Sequence, residues 1–479
     1  MKLLGFLPDA DDHTEGVITN CEMLLPSLKG MKGAPALVAT PYAALASACR
    51  GAAYLALLTG STRLFAGTQT KLYEGSGGTW TDVSAGTYTG SSESKWSFSQ
   101  FGNVSIAVNG IDATQKSVSS GAFSALAGAP KAKFIETVAG FVMLAAYNDG
   151  TDTPDGWHCS GYEDYTAWTP SAATQCANGR LLDTPGAIRA LKKLGDVAVI
   201  YKENSMYLGQ YQGPPIIWSW SLISGEVGAV SNESVVNIGT AHFFIGINDI
   251  WVFDGTRPAP IGEGIREWFF GDLNSTYRYN IIGQHDKANA LIYWYYPSKN
   301  STTGALDSCI VFNYKSQKWG RANRSIEAVL DYSSGGFTYA TLLAAYPTYA
   351  DLPNVPYGSP FWTASNPVPA VFDTTHTVKT LDGVSASSSL TSSWFGQDLA
   401  YSMLYRVTPR FIVAPASAQI TNYYRNTSGS SKVNGVTTNM SHGRFSVYRR
   451  AKFHQIKMSF VGDHEITEFI AEARPQGKE

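Results

Sequence analysis

Short runs of alternating apolar and polar residues, each closed by a Gly, Asn or Asp turn, recur along the first three-quarters of the chain. Their order repeats: an alternating run, a turn, a second run with an aromatic, and a short turn ending at Trp or another large residue. Six copies can be traced. The first holds Arg63–Gly67, Lys71–Gly75 and Thr79–Thr81, and the second Trp96–Phe98 and Val104–Val108, ending near Phe123. The third holds Phe134–Thr137, Phe141–Ala145, a turn-rich stretch Asn148–Gly156, Trp157–Ser160 and Trp168; the fourth Ile188–Leu191, Val197–Tyr201, Ser205–Leu208 and Trp218–Trp220. The fifth holds Val235–Ile238, His242–Gly246, Ile250–Phe253 and Ala259–Ile261; the sixth Tyr279–Ile282, Ala290–Tyr295, Cys309–Phe312 and Gln317–Trp319. Asn109-Gly110 reads as a two-residue hairpin turn, because a type I′ turn needs positive φ at both central residues.

Corresponding runs are spaced by about 40 to 50 residues, the length of a four-stranded propeller blade. One such sheet cannot bury both faces alone, so blades must pack face to face around an axis. The expected fold is therefore an all-β propeller of six to eight blades, with seven preferred. A seventh unit falls between Ile326 and Phe372, with a strand at Phe337–Leu343 and an irregular Pro347–Pro369. The early run Ala36–Ala39 is expected to complete that sheet and close the ring. One or two β-sandwiches would also give short strands and frequent turns; the within-unit order favours the propeller.

From about Leu381 the pattern changes. Ser385–Ser393 is dominated by Ser and Thr, Asn426–Asn439 is turn-rich, and clear alternation returns in Phe453–Phe460 and Glu465–Ala473. The expected organisation is an arm and ring-closing strand over 1–50, a propeller over 51–375 and a small antiparallel β domain over 376–479. The basic cluster Arg444, Arg449, Arg450 and Lys452, just before a strand, reads as a solvated edge that discourages sheet-to-sheet pairing, or as a contact for an acidic neighbour.

Composition agrees with strands. Of 479 residues 44% are hydrophobic, 13% aromatic and only 15% charged, with 46 Gly, so the chain can bury more than one core. The net charge of −2 fits neither a basic nucleic-acid binder nor a polybasic membrane protein. Five cysteines without a C-x-x-C argue against a disulfide framework. Met1–Pro8 is too short an apolar run for a signal peptide, and Ala43–Leu58, broken by Arg50, is too short to span a bilayer. A reducing cytoplasm without a membrane stage is expected.

No catalytic constellation emerges. Gly75-Ser76-Gly77-Gly78-Thr79-Trp80 resembles a sialidase Asp-box turn, but Gly75 stands where the Asp should be. Asp463-His464-Glu465 and His158-Cys159 offer ligand atoms that a strand would point to opposite faces. There is no G-x-x-x-x-G-K-[ST] and no G-x-S-x-G. The expectation is no catalytic, cofactor-binding or metal-binding residue and no enzyme activity. Trp168, Trp218 and Trp220 are the candidates for stacking on sugars in a carbohydrate-binding or glycoside-hydrolysing propeller, against a core role.

Gly16-Val17-Ile18-Thr19-Asn20-Cys21 with Pro26-Ser27-Leu28-Lys29-Gly30, the run Trp96–Asn103 with Val108-Asn109-Gly110, Trp251-Val252-Phe253-Asp254-Gly255, and the closing Phe453–Ala473 followed by Arg474 together carry a resemblance. The chain resembles, over nearly its whole length, the tail nozzle or tail-hub proteins of short-tailed bacteriophages, the packaged-DNA stabilisation or tail tubular protein B family. The resemblance implies a structural virion protein, made in the host bacterial cytoplasm and placed in the tail. It would be a subunit of a homohexameric ring beneath portal and head-to-tail adaptor, above tail fibre or spike proteins. Its lumen would pass double-stranded DNA without sequence-specific binding and open for genome ejection, with no membrane anchor. Ring contacts are then expected in Asn148–Asp155, Pro347–Pro360 and Asn426–Asn439.

Overall fold

In a computed structural model, which describes residues 1–91, 93–333, 343, 347–348, 350 and 367–477, strands arrange as small four-stranded sheets around an axis. Blade 1 holds Gly51–Ala56, Thr62–Gly67, Leu72–Ser76 and Thr79–Asp82; blade 2 Ser97–Phe101, Val104–Val108, Gln115–Val118 and Ser124–Ala125. Blade 3 holds Lys131–Val138, Phe141–Asn148, Asp152–Cys159 and Ala177–Arg180; blade 4 Ala190–Leu194, Val197–Tyr201, Met206–Gly213 and Ile217–Leu222. Blade 5 holds Val236–Asn237, His242–Ile245, Ile250–Phe253 and Pro258–Pro260. These five and blade 7 are six small separate sheets in the ring. The remaining place is filled by Ile282–Asp286, Leu291–Tyr296, Ser308–Asn313 and Lys318–Arg321, blade 6, which belong to a larger nine-stranded sheet.

The first strands of blades 1 to 7 touch one another in order, and the last returns to the first. Hydrophobic burial follows the same cycle. Separate cores fill the interfaces 1/2, 2/3, 3/4, 4/5, 6/7 and 7/1, while the 5/6 core runs on into the C-terminal sheets. Second strands such as Val104–Val108 and Leu291–Tyr296 are buried along their whole length because a neighbouring blade covers each face.

Blade 7 closes the ring as the sequence suggests. Ile326–Tyr332, Val368–Asp373 and Val378–Gly383 come from late in the chain, and Ala36–Ala39 pairs with the last of them in register Thr380↔Val38. The strand expected at Phe337–Leu343 lies, but for its last residue, outside the described residues, as does most of Pro347–Pro369.

The sheets cross the segment boundaries expected from the sequence. Blade 6 continues from Lys318–Arg321 through Leu24–Pro26, Met31–Gly33, Glu465–Pro475 and Ser402–Val413 to Phe445–Ala451. Facing it is a seven-stranded sheet of Gly5–Phe6, Val17–Glu22, Ser387–Ser392, Phe453–Val461, Ser417–Arg425 and Val433–Asn439, with Phe395–Gly396 also beside Phe453–Val461. Ile18, Leu390, Ile456 and Phe460 from one sheet and Leu24, Leu404, Phe445 and Ile466 from the other share one core.

Several local readings are corrected. Asn109-Gly110 is not a two-residue hairpin: the Asn109 carboxamide oxygen accepts from the N–H groups of Ile111 and Asp112, folding a longer loop. Two-residue hairpin turns occur instead at sites that include Gly102-Asn103, Ala139-Gly140 and Gly77-Gly78, the last with φ of 57° and 85°, where a Cβ would be strained at both positions. Asn148–Gly156 is a hairpin whose second strand starts at Asp152. Tyr279-Asn280 lies in a 3-10 turn, Ser275–Asn280, after a short helix, Arg266–Asp272. The Asp9 carboxylate accepts from the N–H groups of Glu267 and Trp268 at 2.7 and 2.8 Å, satisfying donors that the helix itself leaves open. The Ser/Thr-rich stretch contains a central strand, with the Ser392 hydroxyl bonded to the Ser393 carbonyl and the Ile456 N–H and the Ser388 hydroxyl meeting His464.

Blades 1 and 2 are pinned by Arg63, whose guanidinium makes a bidentate pair with Glu74 at 2.6 and 2.8 Å and donates to Ser117 and Gly121 of blade 2. Its side chain is 4% exposed. Arg63→Met is expected to cost about 3 kcal/mol, because it leaves the Glu74 carboxylate partly buried without its cation. Urea unfolding checks this, and adding Glu74→Met should recover part of the loss.

Candidate functional site

The first strands of the blades start at one end of the axis, where a cavity of about 770 Å³ opens. Its wall combines Arg50–Ala53 and Trp96–Phe98 with Glu233, Ile282 and Ile326–Val329 from other blades. The 3-10 turn Ser275–Asn280 lies at this mouth and brings Tyr277 and Tyr279 to it. The Tyr279 hydroxyl donates to Glu93 at 3.1 Å, and Lys95 Nζ donates to the Tyr279 carbonyl at 3.3 Å. The turn is thus fastened to the segment before blade 2.

The charges there are mutually answered. Lys95 lies 3.9 Å from Glu233, Arg189 3.5 Å from Glu203, and Arg278 also pairs with Glu203. His376 Nδ1 is 2.7 Å from Glu327, whose other oxygen accepts from the Cys49 N–H. Burial lowers the Lys95 pKa, with Glu233 opposing it. Burial also pushes the Cys49 thiol up to about 12, so it stands in the wall as a neutral thiol. A mouth with paired ions and two tyrosines suits neutral polar ligands better than phosphates.

The residues weighed from the sequence do not join this cavity. Asp463 accepts from the Ser385 N–H, His464 meets Ser388 and Gly462, and Glu465 accepts from Ser27, so the three diverge. His158 is buried against Trp168, with Cys176 Sγ 3.7 Å from its Nε2. Among the described residues no group of three His, Cys, Asp or Glu converges as metal ligands. Trp80 of the Asp-box-like turn donates its indole N–H to Ala43. Trp168 and Trp218 are 5% and 4% exposed, and Trp220 packs on Trp157 with centroids 5.3 Å apart. These rings are engaged in blade packing. All five cysteines are buried free thiols, and no helix among the described residues is long and apolar enough to cross a membrane.

The basic cluster precedes the strand Phe453–Val461 and sits at a sheet edge, as read from the sequence. Arg449 and Arg450 lie within Phe445–Ala451, the last strand in the order of the nine-stranded sheet. Arg450 sits 4.3 Å over the Tyr401 ring, Arg449 4.8 Å over Tyr424, and Lys432 4.7 Å over Tyr423. Arg425 is held between Trp394 and Phe453.

The cavity residues come from positions scattered over more than two hundred residues, with no motif linking them. The one signal available was position: each precedes or opens the first strand of a blade or sits in a loop at that end. Compared with protein-family models and with curated proteins, the chain matches none of them.

Proposed function

We propose that this chain is a structural subunit of a tail nozzle ring of a short-tailed bacteriophage, extending and closing the DNA channel below portal and adaptor and opening for ejection. The observation that carries the reading is how the resembling segments are used. Leu24–Pro26 and Glu465–Pro475 continue blade 6 into the nine-stranded sheet, and Val17–Glu22 and Phe453–Val461 lie in the seven-stranded sheet that faces it. A sheet running without interruption from blade to terminal strands makes a stiff block, which suits a load-bearing ring better than domains on a linker. The test mixes the purified chain with portal–adaptor particles and images the product. Added density beneath the adaptor supports the reading, and particles that never acquire it refute it.

The axial cavity favours one second reading, a carbohydrate-binding or glycoside-hydrolysing propeller. Tyr277 and Tyr279 would stack on a sugar while Lys95 and Glu233 bond its hydroxyls. A glycan array and a turnover panel decide it: saturable binding lost in Tyr279→Ala, or any turnover, would favour this reading over the ring subunit.

A further inference from the structure

Phe445–Ala451 is the last strand in the order of the nine-stranded sheet, so one side of its backbone has no strand partner among the described residues. Its side chains alternate: Phe445, Val447 and Ala451 are buried, and Ser446, Tyr448 and Arg450 are exposed on the outer face. Tyr448, with φ of 50°, bulges the strand without ending its pairing, since Arg406↔Ser446 and Leu404↔Arg449 flank it on the occupied side. Register extends the outer face away from the edge. Met403 pairs with Arg450 on one side and with Arg474 of Glu465–Pro475 on the other, which sets the two arginines in one row.

The rings on this face seat the cations. Arg450 and Lys452 lie 4.3 and 5.3 Å from the centroid of Tyr401, Arg474 lies 5.4 Å from that of Tyr405, and Tyr405 meets Tyr448 edge-on at 6.1 Å. Among the described residues Arg450, Lys452 and Arg474 form no ion pair, nor does Arg444 just before the strand, whereas Arg406 and Arg410 are taken by Glu472 and Glu468. Asp398, exposed in the loop before Tyr401, pairs with none of them. A guanidinium resting on an aromatic face keeps its direction, which lowers the ordering cost of a contact.

Two features select the partner. The open edge offers backbone donors and acceptors, which another polypeptide strand can match and a chain of phosphates cannot. Glu472, two residues from Arg474 on the same face, ends the positive row, and the rings of Tyr401 and Tyr405 are occupied by cations, so a long polyanion would meet a carboxylate and its bases would find those rings taken.

We infer that an extended acidic segment of a partner polypeptide adds to Phe445–Ala451 as a further strand, with its carboxylates on the face of Arg450 and Arg474. Residues of the added strand point alternately outwards and inwards. The outward ones stand within about 5 Å of Ser446, Tyr448 or Arg450 across the ladder, and the inward ones beside Phe445 and Val447 at the margin of the shared core. The recognised pattern is therefore acidic residues alternating with apolar ones. Arg449, turned the other way onto Tyr424, takes no part.

Fluorescence anisotropy with a labelled, capped peptide of alternating Asp and Val, as long as the edge strand, tests this. The peptide should bind saturably, and more tightly as salt is lowered. A peptide of the same composition with Asp and Val in two blocks loses the facing, and the alternating peptide with N-methylated amides loses the ladder; each should bind about tenfold more weakly. Arg450→Glu with Arg474→Glu should weaken the Asp–Val peptide by about a hundredfold and create binding of an alternating Lys–Val peptide. Both positions are exposed, and unchanged circular dichroism and unfolding midpoint confirm folding. Absence of saturable binding to the wild-type chain, equal affinity for the block or N-methylated peptide, or indifference to the double reversal would each overturn the inference. So would single-stranded DNA or anionic lipid vesicles that bind more tightly than the peptide and lose that binding in the double reversal, since the patch would then serve a polyanion.

Discussion

A chain beginning at residue 41 is expected to lose cooperative unfolding. The first forty residues supply strands to three sheets: Val17–Glu22 beside Ser387–Ser392, Leu24–Pro26 and Met31–Gly33 between blade 6 and Glu465–Pro475, and Ala36–Ala39 at the edge of blade 7. Removing them cuts the nine-stranded sheet in two and opens the last blade. Leu3, Phe6, Val17, Ile18, Leu24, Leu25 and Met31 are all buried, and each contributes about 1.5 to 3 kcal/mol by leaving water. Together that is about 10 to 20 kcal/mol, at or above the 5 to 15 kcal/mol by which domains are ordinarily stable. Calorimetry of 41–479 should show no sharp transition, and co-expression with residues 1–40 should restore one. An unchanged melting curve for the truncated chain would contradict the pairing of early and late strands.

The second large effect is acid sensitivity from two buried histidines. His242 has no exposed surface; its Nδ1 lies 2.7 Å from the Tyr201 hydroxyl and its Nε2 2.8 Å from the Lys193 carbonyl, an arrangement that a neutral ring satisfies. Burial lowers its pKa to about 4 from 6.5, the Lys193 carbonyl opposing and the nearby Lys192 charge adding to the shift. His454, bonded to Ser402, is lowered to about 4 mainly by burial, with the Arg449 charge adding to it. Unfolded, both rings take a proton near 6.5; folded, only near 4. Between those values the unfolded chain binds more protons, so stability is full above pH 6.5 and falls as pH drops towards 4. The loss approaches about 3 kcal/mol for each ring. Urea midpoints from pH 7 to 4.5 should fall, and His242→Gln, which keeps a donor and an acceptor but does not titrate there, should flatten the slope. A slope unchanged in that variant would remove His242 from the account.

How much was legible in advance depended on where the deciding interactions lie. The blade pattern could be read because strand signals are local: β-branched and aromatic runs such as Val197–Tyr201 and His242–Ile245 announce a strand whatever surrounds them. Ala36–Ala39 as the closing strand was also within reach, since a ring of sheets must hide its last edge. Ser387–Ser392 was missed because its burial comes from the strands beside it. Arg449 and Arg450 do precede a strand, but nothing beside them in the sequence shows that they lie in an edge strand of their own and rest on Tyr424 and Tyr401.

The axial mouth was illegible for the same reason. Lys95, Glu233 and Tyr279 have nothing in common along the chain, and only closure of the ring brings them within hydrogen-bonding or ion-pair distance. The sequence by itself determined the period and the class of fold, because each is a pattern over neighbouring residues. The tertiary structure alone decided the welding of blade 6 to the terminal strands and the packing of the two terminal sheets across one core. Both depend on which distant strands share an edge, and that choice is made by the burial of whole faces at once.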